Sequence, residues 1–93
     1  MGWAAGVTAD RAEERAEAVS DGLSDGEMAF LGRDRSPVVR ERVALHTKSQ
    51  AQLARLCRDW VEKVRQACLL NPNLRPETLL GIAYDPYAVV EAA

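Results

Sequence analysis

Asp34-Arg35-Ser36-Pro37-Val38-Val39-Arg40 returns in this chain as Asp59-Trp60-Val61-Glu62-Lys63-Val64-Arg65, and again as Asp85-Pro86-Tyr87-Ala88-Val89-Val90-Glu91. The Asp residues are 25 and then 26 positions apart, and each precedes a valine by five. A fixed period of this size marks a helical repeat array, whose units are too small to bury their own apolar faces and must stack on one another. The expectation is an all-α fold.

Working outward, the grammar of each unit is legible. Ser24-Asp25-Gly26-Glu27 reads as a capping box opening a short helix to about residue 32, with Met28, Phe30 and Leu31 as its apolar contacts. Ser36-Pro37 opens the next helix, with Ser as N-cap and Pro at the first helical position, and it runs to about His46. Ser49-Gln50-Ala51-Gln52 repeats the box, Asp59 with Glu62 repeats the second start, and Val61, Val64, Cys68 and Leu69 are expected to face inward. Asn71-Pro72-Asn73 is a turn signal before a helix carrying Leu79, Leu80 and Ile82, and Asp85-Pro86 starts a last helix. The array is expected over residues 24–93, in units of about 24–48, 49–73 and 74–93. Residues 1–23 read as a lead-in and an acidic capping helix with Thr8 as N-cap. Its stripe of small residues predicts weak docking. Trp3 is expected either tucked onto that helix or free to meet a partner.

Between the units, Leu70-Asn71-Pro72-Asn73-Leu74-Arg75-Pro76-Glu77-Thr78-Leu79-Leu80 joins the recurrent Asp and Arg in a resemblance to the leucine-rich repeat variant and related HEAT-like helical repeats of bacterial proteins. The resemblance covers roughly residues 24–93. It implies a short right-handed α-solenoid of about three two-helix repeats, here with an extra N-terminal helix. It also implies a structural ladder of Asp34, Asp59 and Asp85 with Arg40 and Arg65, interrupted where Glu91 replaces the third Arg. It implies a binding surface and no chemistry. Arg- and Ala-rich usage adds an impression of a GC-rich bacterial or phage gene.

The function classes are narrowed by what the residues can do. No nucleophile–base pair, Gly-rich phosphate loop or metal-ligand cluster appears, so neither an enzyme nor a bound cofactor or metal is expected. His46 reads as a turn residue aligned with Asn71. Cys57 and Cys68 read as buried packing positions with reduced thiols, in a cytoplasmic protein without a secretory signal. No apolar run approaches the ~20 residues that span a bilayer.

The net charge of −2 conceals an uneven layout. Residues 1–32 carry two Arg against seven acids, whereas residues 33–65 carry nine basic side chains against four acids. Within that middle, Arg35 and Trp60 directly follow the first two Asp residues, as Pro86 follows the third. Trp at a helix start, with Arg nearby, is the chemistry of an interface anchor, the alternative being that Trp60 folds back and seals the junction. The expected partner-binding residues are Arg35, Arg42, Arg58, Trp60 and Lys63, with a protein partner first and a nucleic acid along residues 33–65 as the alternative. The apolar C-terminal helix is a further candidate for homo-oligomer contact.

Overall fold

The computed structural model describes residues 2–83; the helix expected from Asp85 onward, with its oligomer contact, lies outside them. Every regular element among the described residues is a helix: α1 (Ala12–Ala18), α2 (Asp25–Leu31), α3 (Pro37–His46), α4 (Gln50–Leu56), α5 (Glu62–Leu70) and α6 (Pro76–Ala83). The odd-numbered helices form one row, α1 on α3 and α3 on α5, while α4 packs on α6, α3 and α5 and α2 packs on α3.

Local chemistry explains most of the boundaries. At α2 the capping box closes fully. Ser24 Oγ accepts from Glu27 N at 3.2 Å, and the Glu27 carboxylate accepts from Ser24 N at 2.8 Å. Glu27 also accepts from Ala4 N at 2.6 Å, which fastens the N-terminal segment. At α4 only half of the box forms, Ser49 Oγ accepting from Gln52 N. The Gln52 side chain turns inward instead, donating to Met28 O at 2.9 Å and accepting from the Thr47 hydroxyl.

Two starts differ from expectation, while α3 begins at Pro37 with Ser36 as N-cap, as expected, but without the side-chain bond. Ser36 gives α3 no side-chain cap; Asp34 Oδ1 accepts from Ser36 N at 2.9 Å. In the same way Asp59 Oδ1 accepts from Val61 N at 2.9 Å, so α5 begins at Glu62 with Val61 as N-cap and not at Asp59. The first helix is shorter than the stripe of small residues suggests. Arg15 Nη1 takes the carbonyls of Ala9 and Asp10, both at 2.8 Å, which a helix begun at Thr8 would need for its own amides.

The core lies between the rows. Leu31, Val39, Val43, Ala44, Leu53, Leu56, Val64 and Cys68 are buried, with Val7 from the N-terminal segment sealed beneath them. Each fully buried Val or Leu contributes about 1.5–3 kcal/mol. Ala16, Ala44 and Ala67 let the odd-numbered helices approach closely. The N-terminal segment is not weakly docked: Val7, the Glu27 bond to Ala4 and Arg15 hold it. Trp3 packs on Phe30 of α2, with ring centroids 4.7 Å apart.

Asn71 ties the odd row together. Its Nδ2 donates to Ala44 O at 2.9 Å and Thr47 O at 2.8 Å, satisfying carbonyls at the end of α3, and its Oδ1 accepts from Asn73 N. After α3, Thr47 makes the matching bond to the second residue on, its hydroxyl accepting from Ser49 N, but it donates to Gln52 instead of to a neighbouring helix end. Thr47, not His46, is therefore the equivalent of Asn71. His46 stays half-exposed, its Nδ1 3.4 Å from Asp21 Oδ1.

The expectation of two reduced thiols is also corrected. Cys57 and Cys68 form a disulfide, with Cα atoms 5.6 Å apart. Cys57 is the C-cap of α4 and Cys68 lies near the end of α5. The turn between the two helices brings these buried positions face to face, which spacing along the chain does not reveal.

Candidate binding surface

The strongest electrostatic feature is a pair of equivalent ion pairs. Arg40 Nε lies 2.8 Å from Asp59 Oδ2 and its Nη2 3.3 Å from Oδ1, while Nη1 donates to Asp34 O at 2.8 Å. Arg15 makes the same fork to Asp34, Nε to Oδ2 at 2.7 Å and Nη2 to Oδ1 at 3.1 Å. Both guanidinium–carboxylate pairs are buried. Each arginine thus holds the carbonyl six residues behind it and the carboxylate 19 residues ahead. The Arg15 guanidinium is held above its usual pKa, chiefly by the Asp34 bond. Burial pushes the Asp34 carboxyl up, but the Arg15 bond and the Ser36 amide outweigh it and leave it below the usual range.

Arg15 is the member that sequence reasoning missed. It lies 25 residues before Arg40, the interval that separates Arg40 from Arg65, but Ala9 stands where the other units have Asp, which hid the match. Arg65 donates to Asp59 O at 2.7 Å, and its buried Nε has no partner among the described residues. Asp85, the remaining expected ladder residue, lies outside those residues.

The basic side chains of the middle segment stand in different settings. Arg40 is consumed by its ion pair. Arg33, Lys48 and Arg55 line a hollow of about 600 Å³ between α2 and α4, together with His46 and Asp25. Arg35 lies ahead of α3 and lines a second hollow, of about 470 Å³, beside Phe30 and Asp10. Arg42 and Lys63 are exposed on α3 and α5, and Arg58 is exposed at the turn after α4, where it is engaged with its surroundings.

Trp60 does not fold back over the preceding helix. It is 85% exposed, the most open of the large apolar side chains described. The Asp59 carboxylate binds the amide of Val61, and the bend this creates turns the intervening residue outward. Arg35 and Trp60 occupy equivalent positions, each directly after the Asp that precedes α3 or α5. Val38 and Lys63, both exposed, are equivalent one turn further on. Exposed apolar and cationic side chains thus occur at the starts of both helices.

No group of acidic, His or Cys side chains suited to holding a metal occurs among the described residues. No described helix is long and apolar enough to cross a membrane. Compared with known proteins, the chain matches no family model, no curated protein and no solved structure.

Proposed function

We propose that this chain is a non-catalytic binding module, a short right-handed α-solenoid of two-helix units whose partner is a protein segment docking along the starts of α3 and α5. The observation that carries the reading is Trp60, open to solvent at a helix start where a buried or polar residue would serve folding better. A large aromatic beside Lys63, in line with Arg35 and Val38, suits a segment that offers both apolar and acidic side chains. The recurrent Arg–Asp forks support the repeat architecture. They extend it to the N-terminal segment, where α1 takes the place held by α3 and α5 in later units.

Selection of peptides from a random library on the immobilised protein tests this. Acidic, apolar peptides should be enriched, and Trp60→Ser should weaken their binding by at least roughly ten-fold, as expected of an anchor residue. Enrichment that is indifferent to Trp60→Ser would refute the assignment. The burial of Arg40 in an ion pair and the withdrawal of Arg33, Lys48 and Arg55 into a hollow weigh against a phosphate-tracking stripe. On this reading, labelled duplex DNA should bind weakly and without preference for the Arg35–Trp60 edge.

A further inference from the structure

The hollow between α2 and α4 does not include Trp60, and it shares only Arg33 with the hollow beside Arg35. Gly32 at the C-cap of α2 lets its wall close up: a Cβ there would run into the Gln52 side-chain amide, and without one, Gln52 and Arg55 reach across. Gln52 Nε2 binds Met28 O, and Arg55 Nη1 binds Gly32 O at 3.3 Å. These two bonds fix one wall. Arg33 follows Gly32 directly, and Lys48 lines the same space from the turn before α4.

The charge in this space is unbalanced. Among the residues that line it, Arg33, Lys48 and Arg55 stand against one carboxylate, Asp25, a surplus of two positive charges in the lining whenever His46 is neutral, although Arg33 also borders the second hollow with Asp10 and Asp34. Neither Arg33 nor Lys48 has an ion-pair or side-chain hydrogen-bond partner among the described residues, and Arg55 leaves Nε and Nη2 unused there. Burial, and then the neighbouring Arg33 charge, lower the Arg55 pKa, with Asp59 opposing. Folding alone gives no reason to hold two guanidinium groups together without an anion.

We propose that the α2–α4 hollow binds a phosphate monoester, with Arg33 and Arg55 gripping its oxygens and Lys48 adding charge from the rim. A phosphate monoester carries about −1.5 to −2 near neutral pH, which matches the surplus of the hollow, whereas one carboxylate leaves a positive charge uncompensated. Planar guanidinium forks suit its oxygens. The volume of about 600 Å³ leaves room for the group that carries the phosphate.

The test is a titration of the full chain followed by amide chemical shifts, with phenyl phosphate as probe, benzoate as the singly charged control, and a short phosphoserine peptide beside its unphosphorylated form. Saturable shifts confined to residues 28–33 and 46–55 are expected with phenyl phosphate and not with benzoate. Arg33→Gln and Arg55→Gln should each weaken binding by roughly ten-fold or more, the usual effect of losing a charge-assisted bond, and Arg75→Gln should leave it unchanged. Lys48 is exposed, so Lys48→Gln gives a variant whose folding is not in question, and it should weaken binding less. Tighter binding of the phosphoserine peptide identifies a phosphorylated protein segment as the source, and equal binding identifies a small ester. Unsaturable shifts spread over the chain, benzoate binding as tightly as phenyl phosphate, or affinity unchanged in both arginine variants would overturn the proposal.

Discussion

Replacing Arg40 by Ala is the sharpest test of how α3 is tied to the segment ahead of α5. The guanidinium makes two bonds to Asp59 and one to Asp34 O, and both charged side chains are about nine-tenths buried. Truncation leaves the Asp59 carboxylate buried, with the Val61 amide still donating to it, and leaves the Asp34 carbonyl without the Arg40 donor. Removing one partner of a buried, hydrogen-bonded ion pair costs about 3–5 kcal/mol. A domain of this size has a total stability of ~5–15 kcal/mol, so the change removes a large share of it. At roughly 4–8 °C per kcal/mol, the midpoint of thermal unfolding should fall by about 12 °C or more. Arg42→Ala, two residues along the same helix but exposed, should change stability by less than about 0.5 kcal/mol. Urea denaturation of both variants, completed by Asp59→Ala and the double variant, measures the coupling directly; a value of about 0.5–3 kcal/mol is expected. An Arg40→Ala variant as stable as Arg42→Ala within error would show that the fork does not hold these segments together.

The companion pair carries a pH signature. The folded-state pKa of Asp34 lies below its unfolded value, so its contribution is fully present above the ordinary Asp range near ~3.9 and is lost as pH falls through the lowered folded value. Glu27, held low by the Ala4 and Ser24 amides, acts in the same direction. The stability gap between wild type and Asp34→Asn, measured by urea unfolding at stepped pH, should therefore shrink on going from about pH 5 to about pH 3; a constant gap would refute the linkage. The disulfide closes a loop whose ends are 11 residues apart, for which the chain-entropy relation gives about 3 kcal/mol. Unfolding compared with and without a strong reductant should show a loss of that order, and thiol titration of the denatured, unreduced protein should find no free cysteine; two free thiols would contradict the bond.

Helix content and the apolar positions were legible because they are local properties. Ser24 with Glu27 closes a capping box from side chains three residues apart, and Pro37 opens α3 where its missing amide does no harm. The 25-residue interval likewise identified Arg40 and Asp59 as residues of interest, since repetition is a property of the sequence itself.

What the tertiary structure decided is which distant groups share a space. Arg15 meets Asp34, Cys57 meets Cys68, and Gln52 leaves its own helix cap for the carbonyl of Met28, because helical neighbours are brought together by packing and not by sequence proximity. Thr47 and not His46 is the counterpart of Asn71, a shift of a single residue that only the direction of the side chain reveals. The nine basic residues of the middle segment read as a single patch along the chain. The fold separates them into a buried fork, a hollow between α2 and α4, and an exposed edge beside Trp60, because successive residues of a helix point in different directions.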